Sequence, residues 1–253
     1  MKILTRIIII SFLIVIFVFC LYCGASHNIR KSIIYKESDF SISKLQNNGL
    51  IVGGICSYTC DMTREERIKD GSSIFNILLE KLKDAHTIQM MNVLQLIDNI
   101  GKEKYFSMME AYDKRRMFDA TSMQSIKDSV DQMQYFLVAY IENENIIDES
   151  YDEYIEDEQG DERIETEYEK TYILTVEFQI FDLSRKEMVW RSQLYNRAVN
   201  CESRTTRSGC VDGCMDNIIQ TILFGEPAEI NKEEVLAKII EAFAKELDET
   251  KST

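Results

Sequence analysis

The sequence holds one proline, one tryptophan and two histidines in 253 residues. With so few histidines, a Ser-His-Asp arrangement would hang on His86 alone, because His27 lies in a polar stretch near the amino terminus. There is no His-Glu-x-x-His, no Gly-x-Ser-x-Gly and no Gly-x4-Gly-Lys, so the familiar metalloprotease, hydrolase and phosphate-binding signatures are absent. A carboxylate pair for sugar hydrolysis stays available in any acidic chain. The expectation is a protein that is not an enzyme, with no catalytic residues, no resident metal and no cofactor. Positive charge is short as well: 29 Lys and Arg face 43 Asp and Glu, a formal charge of -14. A polyphosphate partner wants a basic face, so nucleic acid is not an expected partner.

The acidity is local. Glu142–Glu169 contains fourteen acids and one base, Arg163, and the rest of the chain is close to neutral. Such a segment reads as a solvated, self-repelling insert that could dock a basic partner. Calcium is the other use for clustered carboxylates, but no Asp-x-Asp-x-Asp-Gly loop is present. Glu156, Asp157, Glu158, Asp161 and Glu162 form the densest part and are the acidic candidates for partner binding.

The apolar run that exists is short. Lys2 and Arg6 precede Ile7–Tyr22, sixteen residues broken by one serine, and then Cys23-Gly-Ala-Ser. A spanning helix needs about 20 residues, whereas a charged start, a short apolar run and small residues make an export signal. Cys23 stands where a bacterial lipoprotein signal has its acylated cysteine, which would add palmitate-type chains; cleavage after Ala25 and an uncleaved anchor are the alternatives. All three export the domain. Residues 1–23 are thus read as signal, 24–48 as a flexible tether and 49–248 as the folded domain, with the acidic insert at 142–169.

Five cysteines follow the signal: Cys56, Cys60, Cys201, Cys210 and Cys214. An odd number cannot all pair within one chain. In an oxidising compartment, structural disulfide bonds are the default, with buried thiols and a thiolate metal site as alternatives.

Thr171–Ala198 organises the domain. Tyr172, Leu174, Val176, Phe178 and Ile180 alternate with polar residues, which predicts a strand with one buried face. Asp182-Leu-Ser-Arg-Lys reads as a turn and Met188–Arg197 as the returning strand, with Trp190 at even odds between core and interface and Tyr195 beside it. Around the hairpin stand a strand at Gly49–Tyr58 and a helix capped by Thr63. Next come a weak strand at Thr87–Val93, helices over Leu94–Arg116 and Ser122–Gln132, and Tyr135–Ile141, apolar on both faces like a central strand. A short helix is predicted at Met215–Phe224, ended by Pro227. Asn231 with Glu234 starts a closing helix whose stripe is Val235, Ile239, Phe243 and Leu247. The expected class is α/β (α+β): one mixed sheet of about five strands, an antiparallel hairpin meander, and helices packed on it.

This layout, with Val176–Asp182 running through a polar turn into Met188-Val189-Trp190, resembles a group of bacterial periplasmic lipoproteins. The group includes the curli secretion channel subunit and the penicillin-binding-protein activator lipoprotein, and it shares its fold with the amino-terminal domain of the Tol translocation protein. The turn departs from the group: Arg185-Lys186 stand where glycine is frequent. The acidic insert is a second departure, and it lacks the alternating apolar residues of a membrane barrel. The resemblance implies a protein-binding domain in the bacterial envelope, facing the periplasm and held at a membrane, outer rather than inner, by amino-terminal acyl chains. Another envelope protein is the implied partner. A self-assembling homo-oligomeric subunit of a secretion complex, or a small-ligand or metal-binding periplasmic lipoprotein, is the alternative.

Overall fold

The structure is a computed structural model that describes residues 25–59, 62–82, 87–130, 133–156, 162–207 and 229–250. Its elements are β1 (Ser26–Lys36), α1 (Ile42–Asn48), β2 (Leu50–Ser57), α2 (Arg64–Lys81), β3 (Met90–Met91) and α3 (Val93–Ile100). They continue with α4 (Lys102–Arg115), α5 (Ala120–Ser129), β4 (Tyr135–Glu156), β5 (Glu162–Asp182), β6 (Glu187–Arg207) and α6 (Lys232–Asp248). The strands form one six-stranded mixed sheet in the order β1-β6-β5-β4-β2-β3. β2 runs parallel to both β3 and β4. The expected α+β class, a mixed sheet with helices packed on it, is therefore what the chain adopts.

The chain falls into two compact units. The first holds Asn28–Ile146, Tyr172–Arg197 and the residues from Asn231 on. The second holds Ile147–Thr171 and Ala198–Ile230, with residues up to His27. In its described part the second unit is built from the carboxy-terminal half of β4, the amino-terminal half of β5 and the carboxy-terminal half of β6. There the Ser26 hydroxyl donates to the Val199 carbonyl at 3.4 Å.

In the first unit the sheet is covered on both faces. Phe136, Val138 and Tyr140 of β4 join a cluster with Leu96 of α3, Tyr112 of α4 and Ile126 of α5. Phe118 packs edge-on against Phe136 and Phe181, at 5.2 and 5.5 Å. On the other face α6 buries Val235, Ile239, Phe243 and Leu247, and Phe243 stacks on Phe178 at 4.0 Å. Covering both faces changes the meaning of the alternation in β5. Glu177 and Gln179, assigned to solvent by their spacing, are buried, and Glu177 pairs with Arg191 at 2.7 Å.

The β2–β4 pairing depends on two glycines. The register slips between Val52 and Gly54, where Gly54 has φ 115. A Cβ on Gly53 would sit 2.2 Å from the Phe136 ring, so that ring can seat only over bare backbone. The Tyr105 hydroxyl then donates to the Gly53 carbonyl at 2.8 Å.

The structure corrects several expectations. Residues 24–48 are not a tether: Ser26–Lys36 is a sheet strand, and Phe40, Ile42 and Leu45 are buried, with Phe40 5.6 Å from Trp190. The acidic segment is not a loop, since β4 continues to Glu156 and β5 begins at Glu162. Pairing with a neighbouring strand overrides the low β-propensity of the acids. Its first acids are also neutralised locally: Glu142 pairs with Arg116 at 3.1 Å and Glu144 with Lys232 at 2.8 Å. Leu94–Arg116 is two helices, because Gly101 (φ 90) breaks the run. Of Thr87–Val93 only Met90–Met91 is strand. At α6 the Asn231 side chain accepts from the Glu233 N–H instead of closing a box with Glu234. In the β5–β6 turn, Asp182 accepts from the Ser184 and Arg185 N–H groups, and Lys186 takes the left-handed φ of 58 in place of a glycine. The Met215–Phe224 helix lies outside the described residues.

One charged pair sits inside the first unit. The Arg67 guanidinium of α2 donates to Asp113 of α4 at 2.7 Å and to the Ile55 carbonyl of β2 at 2.8 Å, and both side chains are only 3% exposed. Asp113 also accepts from the Ser57 N–H at 3.0 Å. The pair thus ties two helices to the end of a central strand. Removing one partner leaves a buried charge unsatisfied. Asp113→Ala is therefore expected to cost about 3–5 kcal/mol, read as a lowered urea midpoint, whereas Arg67→Met combined with Asp113→Leu recovers most of that loss.

Glu246 of α6 is also buried, with no hydrogen-bond partner for Oε2. Burial pushes its carboxyl above the usual value of 4.5, and the nearby Ser192 hydroxyl and Lys31 pull it the other way. The folded protein therefore keeps a proton that the unfolded chain has given up. That contribution is complete below 4.5 and fades as the pH rises through the folded-state value. Melting curves of wild type and Glu246→Gln should diverge as the pH is raised from 4.5 toward neutrality, with the variant gaining relative stability; parallel curves would show that Glu246 does not titrate abnormally.

Candidate interaction surface

The described residues offer two sheet edges, two clefts and the residues singled out from sequence. β1 is the terminal strand of the sheet order, so among the described residues only β6 lies beside it. Ten of its eleven residues are exposed, and among them Ile33 is 50%, Ile34 48% and Tyr35 44% exposed. The strand carries Arg30, Lys31 and Lys36 and no acid. A long exposed edge with isoleucines on both faces is where a further strand adds. Sequence periodicity missed it because β1 buries neither face. The available signal was composition: Ser-Ile-Ile-Tyr is a β-forming run inside an otherwise polar stretch.

The strand order ends at its other side in the two-residue β3, and a second long open stretch is the acidic half of β4. β2 accompanies β4 only from Tyr135 to Ile141. Beyond that point β4 keeps β5 on one side and has no described strand on the other. Ile146 and Tyr151 are exposed along it. Of the acidic candidates for binding, Glu156 ends β4 and Glu162 opens β5. Asp157, Glu158 and Asp161 lie outside the described residues, as do the side chains of Glu156 and Glu162.

A cleft of about 470 Å³ lies beside β1, lined by Lys31, Ile33, Lys36, Glu246, Glu249 and Thr250. Its floor carries the buried Glu246 carboxyl, and Lys31 crosses to Glu249 at 2.9 Å. The cleft joins the start of the chain to its closing helix. An open polar cleft of about 550 Å³ lies at α5, between Lys104, Gln124, Asp128 and Lys186. Neither cleft brings a nucleophile, a base and an orienting group together.

Trp190 is not a surface residue. It is fully buried against Phe40, with the Lys36 ammonium 5.8 Å from its ring. The segment read as a tether is what covers it. Phe178 is likewise core, and Tyr195 is half-buried.

Cys56 is a free thiol on β2, inside the core. It lies 3.2 Å from the Arg67 guanidinium and 3.7 Å from the Met109 carbonyl. Burial, with the Asp113 carboxylate beside it, pushes the thiol well above its usual range. A thiol so placed is inert rather than reactive. Cys60, Cys210 and Cys214 lie outside the described residues, as do Cys23 and the Cys201 side chain. Among the described residues, no three His, Cys, Asp or Glu side chains meet in a way that could hold a metal ion. No described helix is long and apolar enough to cross a membrane.

No family model matches the chain, and no curated protein matches it. Several solved structures are similar. The PelC dodecamer from Paraburkholderia phytofirmans is 12% identical, covering 85% of this chain and 96% of its own, with a TM-score of 0.33. A hypothetical protein from Chlamydia trachomatis is 9% identical, covering 79% of this chain and 98% of its own, with a TM-score of 0.31. A lipoprotein from Neisseria meningitidis is 7% identical, covering 69% of this chain and 92% of its own, with a TM-score of 0.25.

Proposed function

We propose that this chain is an exported lipoprotein of the bacterial envelope that works without catalysis, by binding another protein along an open sheet edge. One observation carries the reading. The exposed edge strand β1 begins at Ser26, three residues after Cys23 at the end of the apolar segment. Three residues of chain reach about 10 Å at most. If Cys23 carries the acyl chains, β1 is held at the membrane surface and the domain has no long reach. Two or more chains on one cysteine anchor stably, whereas one is marginal. The domain then faces the periplasm, with the outer membrane as its site.

The binding chemistry follows from β1 itself. Backbone N–H and C=O groups along the edge supply strand pairing, and Ile33, Ile34 and Tyr35 supply apolar contact. The scarcity of histidine and the absence of catalytic motifs support a role outside catalysis.

Cys23→Ser tests the anchor. Loss of fatty-acid label together with release from the membrane fraction is the expected result. An unlabelled variant that stays in the membrane would mean that Ile7–Tyr22 is an uncleaved anchor. Capture tests the edge. The tagged full chain should retain envelope proteins that Ile34→Lys, which places a charge on β1, does not; equal capture by both would remove β1 from the interface.

A further inference from the structure

Two long exposed stretches of sheet edge among the described residues carry opposite charge. β1 stands at the end of the strand order, with three cations and no acid in eleven residues. The second edge begins where β2 stops. β2 ends at Ser57, which is in register with Ile141 of β4. From Glu142 to Glu156, β4 has only β5 beside it among the described residues. That stretch of fifteen residues holds seven acids and no base. Ile146 is 63% and Tyr151 56% exposed within it.

Each edge is a row of backbone donors and acceptors that another strand can satisfy. In the strand order β6 and β5 stand between them. Pairing like with like would set cations against cations, or acids against acids, and like charges opposite one another destabilise a strand pair. Pairing unlike edges places Arg30 and Lys36 along a row of carboxylates. It also gives the exposed isoleucines and tyrosines of both strands an apolar neighbour. Lys31 contributes less, since it already bonds Glu249.

We propose that the partner of β1 is a second copy of this chain: β1 of one copy adds to the Glu142–Glu156 edge of β4 in the next, head to tail. The proposal rests on the reading of β1 as a binding edge and names what it binds. Because the two surfaces differ, the growing assembly presents one unused edge of each kind until it closes on itself.

The test is sedimentation velocity of the full chain in mild detergent, over a concentration series at low and high salt. Wild type should sediment as more than a monomer and dissociate as salt is raised. Two charge-reversed variants are compared with it: Arg30→Glu with Lys36→Glu on β1, and Asp148→Lys with Glu149→Lys on β4. Each alone should associate about tenfold more weakly or worse. Mixed together they should associate again, because the native β1 of one variant meets the native β4 edge of the other. A wild type that is monomeric at every concentration overturns the proposal. So do variants that associate undiminished, or a mixture that stays monomeric. Far-UV circular dichroism checks that each variant is folded. Where one is not, a photo-crosslinking residue in place of Ile34 gives the answer in the otherwise native chain. A crosslink to a 142–156 peptide of another copy is expected, and one that maps elsewhere or to a different protein overturns the proposal. A chain that stays monomeric yet captures an envelope protein through Ile34 keeps the function proposed above and sinks this inference alone.

Discussion

Every backbone N–H and C=O in a sheet must find a partner, and the way this chain meets that demand arranges everything else. Along Tyr135–Ile141 of β4 the demand is met by β2 and β5 on the two sides, with helices on both faces. β2 can lie against β4 only because Gly53 leaves room for the Phe136 ring and Gly54 accepts the register slip. Arg67 then fixes the end of β2 by bonding the Ile55 carbonyl while Asp113 holds the Ser57 N–H. A buried ion pair is a poor source of net stability. Its value here is positional: it fixes where the parallel pair of β2 and β4 ends.

That end point gives β4 two characters. Through Ile141 it is apolar on both faces and has β2 beside it. From Glu142 onward it turns acidic and loses that neighbour. The composition changes at the residue where the pairing changes. Tyr135–Ile141 is thus a core strand, and Glu142–Glu156 is the same strand continued past the end of β2. Glu142 and Glu144 soften the transition, because Arg116 and Lys232 neutralise them from the neighbouring elements.

Much of the first unit was legible in the sequence. The stripe of α6, the Thr63 cap, the two-sided apolar run at Tyr135 and the turn at Asp182 all leave local signatures, and each forms where those signatures put it. The misses share one physical cause: periodicity reports burial of one face. β1 buries neither face, so it looked like a tether. The acidic halves of β4 and β5 owe their extended form to neighbouring strands rather than to their own side chains, so they looked like a solvated loop. Glu177 and Gln179 failed in the opposite sense, because a second layer of helices covers the face that alternation gave to water. Trp190, read at even odds between core and interface, is core, with Phe40 of the segment read as a tether packed against it. Of the candidate surface, the acidic charge could be read from composition, but the edges that give that charge a use depend on strand order and could not.

The charge on β1 bears on a general difficulty of edge strands. An exposed edge invites any extended chain, and basic residues are one of the ordinary ways to repel unwanted partners. A strand defended in that way has no need of exposed isoleucine, which it would do better to replace with a polar residue. β1 combines both features: Ile33, Ile34 and Tyr35 are exposed side by side, between Lys31 and Lys36. The apolar residues give pairing a driving force, and the cations restrict it to an edge that supplies carboxylates. An extended chain without acids gains the first and is refused by the second, which is how a difference in affinity becomes selectivity. The same logic explains why the acidic half of β4 keeps Ile146 and Tyr151 exposed among its charges. A purely acidic strand would only repel its own kind, whereas one with spaced apolar residues can also hold a complementary strand once charge has selected it.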